Sequence, residues 1–147
     1  MNYGDIFKYI DRSVLCWLAT VDANGQPNVS PKEIFTHHDG DIIIANIMSP
    51  QSIKNIKANP KVSVSFIDAI VQKGYQVKGR ASIITKKDQS FNELHFPLFK
   101  LAGSDFPIAS IIKIKIESSK KILAPRYVLF PETKELDQIA RAKKQYK

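Results

Sequence analysis

The chain is 147 residues long, with a formal charge of +8, 44% hydrophobic and 24% charged residues, which suits one globular domain rather than a disordered or fibrous chain. No apolar run approaches the roughly 18 residues of a membrane helix, and the opening M-N-Y-G-D-I-F-K has no signal-peptide pattern. The single cysteine, Cys16, has no internal disulfide partner, so a reducing cytoplasm is the expected setting.

Asp5 to Ile10 has the spacing of a short amphipathic helix, with Ile6, Tyr9 and Ile10 on one side. Val14 to Val21 reads as a buried strand, and Cys16 within it as a small core residue. Asp22-Ala23-Asn24-Gly25 is a turn, because Asn-Gly accepts the positive φ a hairpin needs. The returning strand, Pro27 to Thr36, contains Pro31, which implies an edge or a bulge. His37-His38-Asp39-Gly40 is predicted as the next turn, and β-branched Ile42, Ile43 and Ile44 as a buried strand.

Ser49 stands where an N-cap belongs and Pro50 at the first helical position, where a missing N–H costs nothing. Ile53 and Ile56 share a face of this helix, and Asn59-Pro60 ends it. Val62, Val64 and Phe66 alternate with polar residues as a strand. Tyr75 to Ile84 follows as another, with Gly79 marking a bulge or a close backbone approach. Asp88 to Leu101 is helical in period, with Phe91, Leu94, Leu98 and Leu101 apolar and Pro97 predicting a kink or a break. Ile108 to Ile116 alternates as a strand, and Pro131 to Tyr146 reads as a final helix with Leu136, Ile139, Ala140 and Lys143 in step. Without repeats or linkers, residues 1–147 form a single domain of five or six strands joined by hairpins, a mainly β, antiparallel small barrel with peripheral helices.

The start of the helix at Ser49 is the expected binding site. A helix start leaves backbone N–H groups unpaired and carries roughly half a positive charge. The N–H groups of Gln51 and Ser52, the hydroxyls of Ser49 and Ser52, and Lys54 form a potential phosphate cradle; a Ser-Pro cap that satisfies itself is the competing reading. His37 and His38 read as surface turn residues, and no ligand partner stands at metal-binding spacing, so no metal is expected. The positive charge admits a basic nucleic-acid-binding β-barrel, but the lysines are scattered, and attraction of phosphorylated small molecules accounts for the same surplus.

S-P-Q-S-I-K-N-I-K-A-N-P-K-V-S-V-S-F followed by Y-Q-V-K-G-R-A, in this order of elements, resembles the FMN-binding split-barrel proteins, the short relatives of pyridoxamine 5'-phosphate oxidase. The resemblance runs from C-W-L-A-T-V-D-A-N-G-Q-P-N-V-S to I-A-S-I-I-K-I-K-I. It implies a six-stranded antiparallel split barrel and a homodimer with FMN at each of two subunit interfaces. Carried over by position, it implies phosphate contacts from Ser30, Lys32, Asn46, Ser49, Gln51 and Ser52, with Lys54 nearby, and a flavin ring lying along Pro31 and Ile47.

In similar short proteins the position of Gln51 is often lysine, so Lys32 and Lys54 are the candidates to supply the charge. Pyridoxamine phosphate oxidases also carry a longer C-terminal region with arginine and histidine for substrate. This chain has no histidine after His95, and that activity is not expected. The resemblance implies an FMN-dependent oxidoreductase with a nicotinamide donor or a small electron partner. A non-enzymatic flavin carrier or sensor is the alternative, and heme or a deazaflavin the alternative cofactor. Trp17 and Tyr75 are read as core, with stacking on a flavin as the alternative, Arg126 as a surface ion pair or a group reaching the cofactor across a dimer, and Lys78 and Arg80 as bordering the pocket.

Overall fold

A computed structural model describes residues 1–146; of the expected domain only Lys147 lies outside. The elements in chain order are α1 (Tyr3–Arg12), β1 (Cys16–Val21), β2 (Pro27–Lys32), β3 (Phe35–His38), β4 (Asp41–Asn46), α2 (Pro50–Ala58), β5 (Lys61–Asp68), β6 (Lys73–Ile84), α3 (Phe91–Ala102), β7 (Ser110–Leu123), α4 (Pro125–Leu129) and α5 (Glu135–Gln145). The seven strands form one sheet in the order β2-β1-β5-β6-β7-β4-β3, and every pairing is antiparallel.

The two outermost strands, β2 and β3, are consecutive in the chain and separated only by Glu33 and Ile34. A connection that short holds the two edges of the sheet together at that point, so the sheet must curl into a split barrel. Here the structure corrects the sequence reading: the single strand expected from Pro27 to Thr36 is broken, and its halves lie on opposite edges. Pro31 sits on edge strand β2, where its missing N–H interrupts no second ladder.

Residues Ile42 and Ile44 of β4 face the main core with Leu18, Val64, Val77 and Ile112, while Ile43 faces a second cluster with Phe91, Leu94, Leu98 and Ile111. Strand β4 is therefore buried on both faces, which is why three consecutive isoleucines suit it. Helix α1 closes one barrel end through Ile6, Tyr9 and Ile10, as expected. Helix α3 covers the outside of β4 and β7 and runs through Pro97 as one element.

Further corrections have physical causes. His37 and His38 belong to β3, and the turn is confined to Asp39 and Gly40, both at positive φ (48° and 87°), as a two-residue hairpin requires. Strand β7 continues past Ile116 to Leu123 through polar residues, because β6 pairs with it along its whole length while one face meets solvent. Glu117 is the extra residue of a bulge opposite Lys78 and Gly79. A Cβ on Gly79 would lie 2.1 Å from the Lys115 carbonyl oxygen, so the close approach read from the sequence is present. Helix α5 buries Gln138 and Ala142, whereas Leu136 is exposed, the reverse of the expected face. Trp17 is 47% exposed rather than core, paired with Pro31 across β1 and β2. No helix among the described residues is long and apolar enough to cross a membrane.

Candidate functional site

Strand β2 carries Asn28, Ser30 and Lys32 at period two, so the three share one face, opposite the start of α2. Lys32 is only 8% exposed, and its ammonium donates to Ser49 Oγ at 2.5 Å and Ser52 Oγ at 3.4 Å. It makes no ion pair among the described residues. Burial of this cation, without a neutralising carboxylate, holds its pKa below the ordinary lysine value.

Ser49 occupies the N-cap position of α2, but its side chain makes no cap hydrogen bond; its hydroxyl accepts from Lys32 instead. The self-satisfied cap is thus not formed, and Ser49 leaves the first N–H groups of α2 without a side-chain acceptor. The Ser49 backbone N–H donates to Asn46 Oδ1 at 3.1 Å, and Asn46 Nδ2 donates to Ser110 Oγ at 2.8 Å, fixing the approach to the helix. Deeper in α2, Asn55 donates to Thr20 at 3.0 Å and accepts from Gln51 Nε2 at 2.7 Å. These bonds anchor α2 on β1, and this polar face, rather than Ile53 alone with Ile56, is what the helix turns inward.

Two clefts meet here. A polar one of about 290 Å³ is lined by Asn28, Ser30, Lys32, Ser49, Gln51 and Ser52. The Ser30 hydroxyl is buried there with no hydrogen-bond partner. An apolar cleft of about 540 Å³ is walled by Leu15, Ile34, Ala45, Ile47, Met48 and Phe106. Pro31, Lys32, Met48 and Ser49 belong to both, so the two clefts are one continuous depression. It has a cationic, hydroxyl-lined end and an apolar end.

Of the expected residues, Ser30, Pro31, Lys32, Ile47, Ser49, Gln51 and Ser52 line this depression. Asn46 stands behind it as a support, and Lys54 is exposed on α2 and lines neither part. Lys78 and Arg80 are exposed outside both clefts, Tyr75 is buried against Asp5, and Arg126 stacks on Phe130 at 5.3 Å. Asn28 also lines the polar cleft, and its two-residue step from Ser30 on one strand is the signal in the sequence that points to it. Phe106 had no local signal; only the path of the chain between α3 and β7 brings it to the cleft.

Elsewhere, α3 places Glu93 Oε1 at 2.8 Å from His38 Nε2, a partner invisible in linear spacing, with Asp39 Oδ2 at 3.4 Å from the same nitrogen. Cys16 is buried, and burial pushes its thiol up to about 12, which keeps it protonated and unreactive at neutral pH.

The sequence profile described as Pyridoxamine 5'-phosphate oxidase matches residues 5–122. The chain belongs to this family. Among solved structures, HupZ from Group A Streptococcus is similar at a TM-score of 0.66 and 27% identity, over 81% of this chain and 92% of that one. An FMN-binding protein from Syntrophomonas wolfei subsp. wolfei reaches 0.69 at 18% identity, over 81% of this chain and 84% of its own. HutZ, the heme storage protein from Vibrio cholerae, reaches 0.67 at 19% identity, over 81% and 93% respectively. These last two share the fold. A search of curated proteins found no match.

Proposed function

We propose that this chain is an FMN-binding flavoprotein acting as an oxidoreductase on a small substrate or electron partner. The observation that carries the reading is Lys32: a buried, carboxylate-free ammonium held between two serine hydroxyls at an uncapped helix start. A buried charge without a counterion is costly, and a phosphate at this point would neutralise it while accepting from Lys32, Ser49, Ser52 and the N–H groups of Gln51 and Ser52. The unpartnered Ser30 hydroxyl would gain an acceptor in the same group. Pro31, Ile47 and Met48 offer an apolar wall to a flat ring. A phosphate at one end and an apolar planar body at the other is the chemistry of FMN, and these residues fit it. Bound FMN supplies the electron and hydride transfer, while the protein supplies grip, orientation and access.

The partner in this reading is a second copy of the chain. Trp17 and Pro31 lie opposite one another on the outer face of β1 and β2, with Val29 opposite Ala19 two residues on; Trp17 is 47% and Val29 61% exposed. This apolar face adjoins the open depression, and a homodimer would cover both. Reduction by a nicotinamide donor belongs to the same reading.

One observation favours a carrier or sensor instead: among the described residues, the titratable ones lining the two clefts are Lys32 and Glu33, with no histidine, aspartate, tyrosine or cysteine beside them in the lining. The test is anaerobic mixing of the FMN-loaded protein with NADH or NADPH. Bleaching of the flavin by a donor, reversed when air is admitted as oxidant, supports the oxidoreductase; stable FMN without bleaching by any donor supports the carrier. A Soret band in the purified protein would replace FMN by heme.

A further inference from the structure

We infer that the cleft between α3 and the segment leading into β7 is a second ligand site, taking a flat aromatic acid beside the flavin ring. On α3, Phe91, His95 and Phe99 stand one turn apart and stack as a column, with ring centroids 5.3 and 5.5 Å apart. The column lines a cleft of about 480 Å³, which Phe106 lines as well. Phe106 also lines the apolar cleft described above, so the two spaces are neighbours across one side chain.

The lining combines these aromatic rings with the polar side chains of Lys86, Asn92 and Ser104. No carboxylate lines the cleft among the described residues, and Lys86 makes no ion pair among them. Glu93, the acid of α3 nearest in sequence, is turned away to His38. Aromatic faces select a planar ring, and an unpaired lysine with an amide beside it selects an acidic substituent. As the seat of a substrate next to FMN, the site rests on the flavin reading; as a binding site it stands on its own lining.

Benzoate and its neutral analogue benzamide test this by proton NMR on the full chain. His95 is one of three histidines, and a His95→Gln variant assigns its ring signals. Benzoate should shift the His95 signals, and Phe99→Ala should weaken that binding roughly threefold to tenfold. Lys86→Ala should abolish a preference of roughly threefold for benzoate over benzamide. Benzoate that leaves the His95 signals unmoved, or a preference that survives Lys86→Ala, overturns the inference. Flavin retention is read separately from visible absorbance. Loss of FMN with a normal His95 response would therefore count against the flavin reading and not against this cleft.

Discussion

Lys32 brings a positive charge into a place where solvent reaches little of it, and two serine hydroxyls are its neighbours in place of a carboxylate. Its folded-state pKa lies below the ordinary lysine value of 10.5, so the unfolded chain binds the proton more readily. For a base shifted down, the stability is greatest above the unfolded pKa and falls as pH drops through the window between the unfolded and folded values. An anion at the site offsets that loss. Lys32→Met should accordingly leave the cofactor-free protein as stable as the native one or more so, while weakening FMN by about 1.5–3 kcal/mol, roughly tenfold to a hundredfold. Thermal melts without flavin and fluorescence titrations with FMN measure the two halves of that prediction. Ser30→Ala follows the same logic. It removes an unpartnered buried hydroxyl, so the cofactor-free melt should hold while FMN binding weakens by about 0.5–1.5 kcal/mol.

At the scale of elements, α1 is tied to the sheet by a buried tyrosine. Tyr75 donates its hydroxyl to Asp5 Oδ2 at 2.5 Å, and Lys121 Nζ lies 3.2 Å from the same oxygen. The Tyr75 bond first, and Lys121 after it, hold the Asp5 carboxyl below its usual 3.8. A carboxylate shifted down stabilises the fold above its unfolded pKa, and the contribution disappears as pH falls through the folded value. Asp5→Asn should cost about 1–2 kcal/mol at neutral pH, with the gap closing in acid, as urea unfolding at a series of pH values would measure. Between β6 and β7, Gly79→Ala places a methyl against the Lys115 carbonyl and should cost at least about 1–3 kcal/mol in the same assay.

Much of this level was legible in the chain. The Ser49-Pro50 start of α2, the β-branched run of β4 and the alternation in β5 are local signals, and each marks its element. Three features were hidden because their cause is not local. The break at Glu33–Ile34 exists because the sheet must close. The polar end of β7 is a strand because β6 lies beside it, and the buried face of α5 is Gln138 and Ala142 because of what it packs on. In the site, Ser49 was legible as a cap position, but that its hydroxyl serves Lys32 instead depends on a strand 17 residues away.

At the scale of the whole molecule, curling of the sheet brings β2 against the start of α2 and produces a depression charged at one end and apolar at the other. In the homodimer proposed above, the exposed Trp17 and Val29 beside it would be covered by the second copy. Trp17→Glu should shift the protein from dimer to monomer in light scattering and lower its flavin content with it. The measurement that tests the central claim most directly is the visible spectrum of the purified protein after FMN addition and desalting, for the native chain and Lys32→Met side by side. Retained flavin bands in the native protein, lost in the well-folded variant, are the predicted result. A native protein that emerges colourless, or a variant that keeps FMN as tightly as the native chain, would contradict the account.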